Sequence, residues 1–221
     1  MTSQLAFDLP PAPAFLREDF FISPANAPAL AMIDDRSIRR LLLIGPHGAG
    51  KTHLAHIWAA TTAARVLPLD ELAQHLPDIA PDAAIAIDNA DATGRDEAAL
   101  FHLYNTLAPA GRLLLTATTP PRDWGLALSD LLSRLQSMTH LRLDPPGDAL
   151  LSAVLVKLFA DRQIAVPPNL IPYLVTRMER SIAAARSLVA SLDARSLAAA
   201  RPITRALAAE VLDTQAGPNP D

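Results

Sequence analysis

Short apolar runs alternate with amphipathic stretches along most of the chain. Such runs predict buried strands, and apolar residues that recur every three or four positions predict helices packed against them. The predicted strands cover residues 41–44, 65–69, 83–89, 112–119 and 138–143. The predicted helices among them cover residues 27–34, 53–64 and 96–108, and a further short helix is predicted to begin at residues 70–72. This alternation of strands and helices predicts an α/β fold with a parallel sheet at its centre.

The pattern changes at Pro145-Pro146-Gly147, which is the clearest domain boundary in the sequence. Beyond it the apolar spacing is helical, and it predicts four helices at residues 148–162, 167–178, around 182–192, and 203–212. The chain is therefore predicted to have four parts. They are a flexible tail (1–19), an α/β subdomain (20–145), an all-helical subdomain (146–215) and a disordered end (216–221).

Composition narrows the class of protein. The chain has 221 residues, of which 50% are hydrophobic, so it can bury a substantial core. A net charge of −4 and a pI near 5.8 argue against a surface built mainly to hold duplex DNA. Cysteine is absent, which excludes disulfides, zinc fingers and cysteine catalysis. Because neither a signal peptide nor an apolar run of about 18–20 residues is present, we expect a soluble, cytoplasmic protein without membrane contacts.

A phosphate-binding motif follows the first predicted strand and precedes a predicted helix. Its residues are Gly45, Pro46, His47, Gly48, Ala49, Gly50, Lys51 and Thr52, which match G-x-x-x-x-G-K-[ST]. The glycines allow the backbone N–H groups to form a cradle for phosphate oxygens at a helix N-terminus. Lys51 is expected to reach the β- and γ-phosphates, and the Thr52 hydroxyl to bind Mg²⁺. The motif predicts a site for ATP or ADP with Mg²⁺.

A second nucleotide motif ends the third predicted strand. Asp88 follows an apolar run in the Walker B pattern, where its carboxylate can hold the Mg²⁺ of a bound nucleotide. The next residue is Asn89 instead of an acid. Because asparagine can orient water but cannot accept its proton, we expect slow hydrolysis by the chain itself. Asp91 is the residue expected to substitute in part for the missing acid.

Other polar residues leave two interpretations open. Thr118 can face a γ-phosphate or simply end a strand. Arg134, which is flanked by apolar residues, can be a surface arginine or an arginine finger for a nucleotide on a neighbouring subunit. Arg180 and Arg186 can reach back to a nucleotide or stay solvated. The segment 20–26 can form a wall of a base pocket or pack in the core.

The N-terminal tail contains Gln4-Leu5-Ala6-Phe7-Asp8-Leu9. A glutamine followed by spaced apolar side chains suits an extended peptide that docks into a hydrophobic pocket, although an ordinary tail can also contain such residues. Among the six histidines, His53 and His56 are three positions apart on one helix, without a carboxylate at metalloprotease spacing. We interpret them as structural residues and not as metal ligands.

Both nucleotide motifs, the boundary and the helical end together resemble the AAA+ family. Within it the chain is most similar to the DnaA-related branch and to the Hda group, the regulatory inactivators of the bacterial initiator DnaA. The residues that carry the resemblance lie at 48–54, 87–89, 103–105, 116–124 and 130–135. The resemblance covers essentially the whole chain, and it implies an AAA+ P-loop module with a parallel sheet core and a C-terminal all-α lid.

The resemblance also implies roles for individual residues. Thr118 takes the sensor 1 position, where an acidic residue is usual, and Arg134 takes the position of the arginine finger. Arg180 matches the sensor 2 arginine better than Arg186 does. The remaining implied contacts are nucleotide contacts of His53, Ile22 and Asn26, and sliding-clamp contacts of Gln4, Leu5, Phe7 and Leu9.

The implied function is negative regulation of replication initiation. The tail would dock on the DNA-loaded sliding clamp, and Arg134 would promote hydrolysis of ATP bound to DnaA, with the chain's own nucleotide as a mainly structural ligand. No helix-turn-helix follows the lid, so direct sequence-specific DNA binding is not expected. The sequence leaves the oligomeric state open between a monomer and a homodimer. The alternatives are an autonomous ATPase of the helicase-loader type and a nucleotide-gated adaptor that tethers DnaA without catalysis.

Overall fold

Five strands form one parallel sheet in the part of the chain that the computed structural model describes, which is Phe15, Arg17 and residues 20–22, 26–107 and 110–215. The strands are β1 Arg40–Ile44, β2 Arg65–Leu67, β3 Ala84–Ile87, β4 Arg112–Ala117 and β5 Thr139–Arg142. Their spatial order is β2-β3-β4-β1-β5, and every pair is parallel. The predicted α/β fold with a parallel sheet is confirmed.

Helices connect the strands and follow the sheet. Those around the sheet are α1 Ala27–Asp34, α2 Lys51–Thr62, α3 Leu72–His75, α4 Glu97–Thr106 and α5 Ser129–Gln136. Those after it are α6 Asp148–Asp161, α7 Leu170–Val175, α8 Ile182–Ala199 and α9 Arg205–Gln215. None of the helices in these described ranges is long and apolar enough to cross a lipid bilayer.

The alternation of side chains along the strands divides the core of the α/β part in two. On one face, strand residues such as Leu42 and Leu115 pack with α4 and α5. On the other face, Leu43 and Leu114 pack with α1 and α2, which contributes the buried Trp58. The helices α6 to α9 enclose a separate apolar cluster around the buried Phe159.

Four strands, β2 to β5, end one or two residues earlier than the apolar pattern predicts, and for two of them a local contact explains the end. β2 stops at Leu67, because Pro68 has no N–H with which to extend the ladder. β4 stops at Ala117 because the N–H groups of Thr118 and Thr119 donate to the Asp91 side chain instead of to a strand.

The register places the ends of three strands together. Leu43 of β1 lies opposite Thr116 of β4, and Ile87 of β3 lies opposite Leu115. The loops that follow β1, β3 and β4 therefore leave the same edge of the sheet. This edge is where open α/β sheets bind ligands.

Candidate nucleotide-binding site

The phosphate-binding motif forms the loop between β1 and α2. Gly48 has φ +73° and Gly50 has φ +96°, a left-handed conformation that favours glycine. Gly50 immediately precedes α2, a helix of 12 residues whose first N–H groups face the loop. The strand–loop–helix geometry thus provides the N–H cradle that a phosphate group needs.

Lys51 is held inside this loop. Its side chain is buried, and Nζ donates hydrogen bonds to the carbonyl oxygens of Gly45 (2.6 Å) and Pro46 (2.9 Å). Burial lowers the pKa of Lys51, and the carboxylates of Asp88 and Asp91 partly oppose this shift. A phosphate oxygen would be a stronger partner for the ammonium group than either carbonyl, because it carries charge.

The two side chains predicted to hold Mg²⁺ lie next to each other. Thr52 Oγ1 donates to Asp88 Oδ2 at 2.9 Å, although 36 positions separate these residues in the chain. A hydroxyl and a carboxylate are oxygen donors of the kind that Mg²⁺ prefers. The residues present therefore fit a Mg²⁺ ion, which Thr52 and Asp88 would hold.

Thr116 supports this pair, a role that was not predicted from the sequence. The side chain is fully buried, and its Oγ1 donates to Asp88 Oδ1 at 2.5 Å and accepts the N–H of Asn89 at 2.9 Å. Asn89 itself is exposed and has φ +53°. The available signal was a single hydroxyl in the otherwise apolar run of β4, since a buried hydroxyl needs hydrogen-bond partners.

Asp91 fixes the loop that follows β4. Its Oδ2 accepts the N–H groups of Thr118 at 2.7 Å and Thr119 at 3.0 Å. This places Thr118 beside the Walker B loop. Asp91 was expected to substitute for the acid that is missing at position 89. Because its carboxylate accepts these two backbone N–H groups, it is less available to act as a general base.

A cavity of about 430 Å³ opens in front of the phosphate loop, a size that falls within the roughly 300–1,000 Å³ typical of ligand pockets. Its described lining residues are Phe15, His47, Gly48, Gly50, Lys51, Thr52, His53, Asn89, Ile182, Ala183 and Arg186. The first residues of α8 thus form one wall. Of this wall, only the open choice between Arg180 and Arg186 was predicted from the sequence.

Of those two arginines, the structure brings Arg186 to the cavity. Arg180, which the resemblance favoured, is exposed and pairs with Asp148 at 2.7 Å. Ile22 is 64% exposed, and Asn26 Nδ2 donates to the carbonyl oxygen of Phe21 at 2.7 Å. Neither Ile22 nor Asn26 is among the described residues that line the cavity.

The two histidines of α2 pack with aromatic rings. Phe15 stacks on His56 with ring centroids 4.3 Å apart, and Phe15 and Phe20 meet His53 edge-on. Within the described ranges, no three His, Asp or Glu side chains lie close enough together to hold a metal ion.

Arg134 lies on the surface of α5. It is exposed and is not among the described residues lining the cavity of its own chain. Its guanidinium carbon lies 5.6 Å from the ring centroid of Phe101 and 5.4 Å from that of Tyr104. The predicted clamp-binding residues Gln4, Leu5, Phe7 and Leu9 lie outside the described residues.

The N-terminus of α8 contacts the phosphate loop directly. Ile182 N donates to the carbonyl oxygen of Gly48 at 3.4 Å, and a Cβ atom on Gly48 would lie 1.9 Å from Cβ of Ser181. Ser181 is buried and caps α8 by accepting the N–H of Ala184. The helical part of the chain therefore rests on the loop that would hold the phosphates.

We expect Gly48→Ala to destabilise the protein more than Gly94→Ala. Both glycines have similar positive φ angles, +73° and +76°, but a Cβ at Gly94 would meet nothing within 4 Å. The left-handed conformation should cost about 1–2 kcal/mol at either site, and overpacking should add about 1–3 kcal/mol at Gly48 alone. Urea unfolding measures both. Adding Ser181→Gly should recover only part of the difference, because it removes Cβ and Oγ of residue 181 but leaves its Cα 2.9 Å from the new methyl group, while glycine is a tolerated helix cap. Equal losses for Gly48→Ala and Gly94→Ala would contradict the contact.

No protein-family model matches the sequence. Among solved structures, domain III of DnaA from Thermotoga maritima has a TM-score of 0.77 at 17% identity, over 94% of this chain and 99% of that one. AMPPCP-bound DnaA from Aquifex aeolicus has a TM-score of 0.68 at 17% identity, over 82% of this chain and 66% of that one. The Holliday junction branch migration motor RuvB of Thermotoga maritima has a TM-score of 0.69 at 20% identity, over 88% of this chain and 70% of that one. The chain therefore has the AAA+ P-loop fold of DnaA domain III, with its parallel sheet and a C-terminal helical region.

Proposed function

We propose that this protein is a nucleotide-binding negative regulator of replication initiation. It docks on the DNA-loaded sliding clamp and promotes hydrolysis of the ATP bound to DnaA. The observation that carries the proposal is the position of Arg134, which is exposed, rests on two aromatic rings and takes no part in the described cavity of its own chain. A guanidinium placed in this way is available to a triphosphate held by another molecule.

The chain's own nucleotide is ATP or ADP with Mg²⁺, and its role is mainly structural. The N–H cradle, buried Lys51 and the Thr52–Asp88 pair support binding, as does the AMPPCP bound to a DnaA of the same fold. Slow hydrolysis follows from Asn89, which cannot accept a proton, and from Asp91, whose carboxylate is engaged by the loop after β4. We assign the sensor 2 role, contact with the nucleotide from the lid, to Arg186 because it lines the cavity.

The partner DnaA is proposed from the shared fold. The likeness extends over 94% of this chain and 99% of DnaA domain III, so the two modules share a fold, and we propose that they pack side by side. In such a pair Arg134 of this chain would face the nucleotide of DnaA. An arginine supplied in trans is worth about 10³–10⁵ in rate in other nucleotide hydrolases.

The test is hydrolysis of ATP preloaded on DnaA, with and without this protein and DNA-loaded clamp. We expect stimulation only when DnaA, this protein and the loaded clamp are all present. This protein without DnaA should turn over little ATP. If the rate with all components equalled that of DnaA alone, the proposed function would be wrong.

Substitutions in the N-terminal tail test the proposed contact with the sliding clamp. We expect replacement of Gln4, Leu5 and Phe7 by alanine to abolish retention of this protein on immobilised clamp, because an extended peptide binds through those side chains. The matched control replaces Thr2 and Ser3, which precede the motif, and should bind normally. Unchanged retention of the triple variant would remove the tail from the proposal.

An autonomous ATPase of the helicase-loader type is the second candidate. The complete phosphate loop and the Asp88 site favour it, and the likeness to the motor RuvB shows that this fold serves motors. This candidate requires ATP turnover by the purified protein without DnaA, so the measurement of this protein alone separates it from the proposed regulator.

A third candidate is an adaptor that tethers DnaA without catalysis. It would bind DnaA normally when Arg134 is replaced and would never stimulate hydrolysis.

A further inference from the structure

Tyr104 of α4 has two cations against its ring. The guanidinium carbon of Arg40 lies 5.3 Å from the ring centroid, and that of Arg134 lies 5.4 Å from the same centroid. Both distances are within the range of a cation–π contact. The two arginines differ in how they are held.

Arg40 is fixed from the side of the sheet. It is half-buried at the start of β1 and donates hydrogen bonds to the carbonyl oxygens of Leu107 (2.5 Å), Gly111 (2.8 Å) and Arg39 (3.1 Å). Burial lowers the pKa of Arg40, but a guanidinium remains charged at neutral pH. The Tyr104 ring therefore rests against a cation that the backbone itself holds in place.

Arg134 has no such anchors. It is exposed, and within the described ranges it forms no ion pair, even though Asp130 lies one helical turn before it on α5. Its contacts are the rings of Phe101 and Tyr104. The rings are consequently what can restrict the rotamers of this long side chain.

We propose that Tyr104 is a positioning residue for Arg134. Backed by Arg40, its ring holds the guanidinium in an outward orientation before DnaA arrives, so that less side-chain freedom is lost when Arg134 meets a phosphate. The expected effect of Tyr104 on the hydrolysis of DnaA-bound ATP rests on the proposed function. The orientation itself is a property of the isolated chain, and it can be measured without DnaA.

The first experiment measures that orientation. In NMR spectra of the ¹⁵N-labelled protein, the Nε–Hε signal of Arg134, identified by its loss in Arg134→Lys, should show restricted motion and a ring-current shift. We expect Tyr104→Phe, which keeps the ring, to preserve both properties. Tyr104→Leu, which keeps much of the bulk, should release the side chain and move the signal toward its random-coil position. An equally mobile Arg134 in the wild-type protein and in Tyr104→Leu would overturn the proposal.

Tyr173 offers a matched control. It lies in α7 with Arg177 and Arg205 at 4.2 Å and 4.4 Å from its ring centroid, so it also carries two guanidinium groups. Tyr173→Leu should leave the Arg134 signal unchanged. If Tyr173→Leu released Arg134 as much as Tyr104→Leu did, the effect would be general loosening and not positioning.

The second experiment measures hydrolysis of DnaA-bound ATP at increasing concentrations of this protein. For Tyr104→Leu we expect the maximal rate to fall about 2- to 5-fold, the factor that corresponds to an exposed cation–π contact. The half-saturating concentration should stay the same. A raised half-saturating concentration with an unchanged maximal rate would overturn the proposal, because it would make Tyr104 an interface residue. A wild-type protein that fails to stimulate DnaA would refute the proposed function, while the NMR result would still decide the orientation of Arg134.

Discussion

Arg134→Ala is expected to abolish the stimulation of ATP hydrolysis on DnaA. The guanidinium would stabilise negative charge that develops on the transferred phosphoryl group, and alanine offers no positive charge. Because a trans-acting arginine contributes about 10³–10⁵ in rate in other systems, the expected loss returns DnaA to its unstimulated rate. The measurement is release of labelled phosphate from DnaA preloaded with ATP, in the presence of DNA-loaded clamp.

Three controls separate a catalytic loss from a structural one. Arg134→Ala should retain clamp binding and its thermal midpoint, because the side chain is exposed and forms no described ion pair. Arg134→Lys keeps a positive charge but loses the planar fork, so its stimulation should also remain low. Arg177→Ala removes another exposed arginine that rests on a tyrosine ring, and it should stimulate normally. Full stimulation by Arg134→Ala would exclude the arginine-finger mechanism.

The sheet was predictable because its strands are short apolar runs between helical segments. Burial on both faces demands such runs, so the sequence marks every strand of the described sheet even where bounds differ. The phosphate loop was equally clear, since the positive φ angles at Gly48 and Gly50 favour glycine and the motif records both positions. Local chemistry determines these features, and a single sequence therefore records them.

Contacts between distant elements were not predictable in the same way. Thr116 supports Asp88 only because β3 and β4 are neighbours in register. The resemblance favoured Arg180, but the packing of α8 on the phosphate loop brings Arg186 to the cavity instead. Asp91 is taken up by a loop that follows another strand. Each of these outcomes depends on tertiary packing, which leaves no pattern along the chain.

Lys51→Met is expected to remove nucleotide-induced stabilisation. For the wild-type protein, Mg-ADP at 100 times its dissociation constant should contribute about 2.7 kcal/mol, or about 5–11 °C in thermal midpoint for a chain of this size. The variant should show no comparable increase, because the ammonium group that would meet the phosphates is gone. Thermal unfolding with and without Mg-ADP measures this difference.

Without nucleotide, the same substitution should change stability by only about 1 kcal/mol in either direction. Methionine removes the cost of burying an ammonium group, but it leaves the carbonyl oxygens of Gly45 and Pro46 without their donor. The pH dependence of stability provides a second test of the buried Lys51 side chain. Because the pKa of Lys51 is lowered in the folded state, the unfolded chain binds more protons between that pKa and about 10.5. Over this window the wild-type protein should gain stability relative to Lys51→Met as the pH rises.

Lys157→Met is the matched control for both measurements. Lys157 lies on α6, where it pairs with Asp161 at 2.9 Å far along the chain from the phosphate loop. Its replacement should preserve the midpoint increase with Mg-ADP and cost no more than about 1 kcal/mol, as expected for an exposed ion pair. If Lys51→Met kept the full increase, the phosphates would have to bind elsewhere, and the cavity in front of α2 would lose its assignment as the nucleotide site.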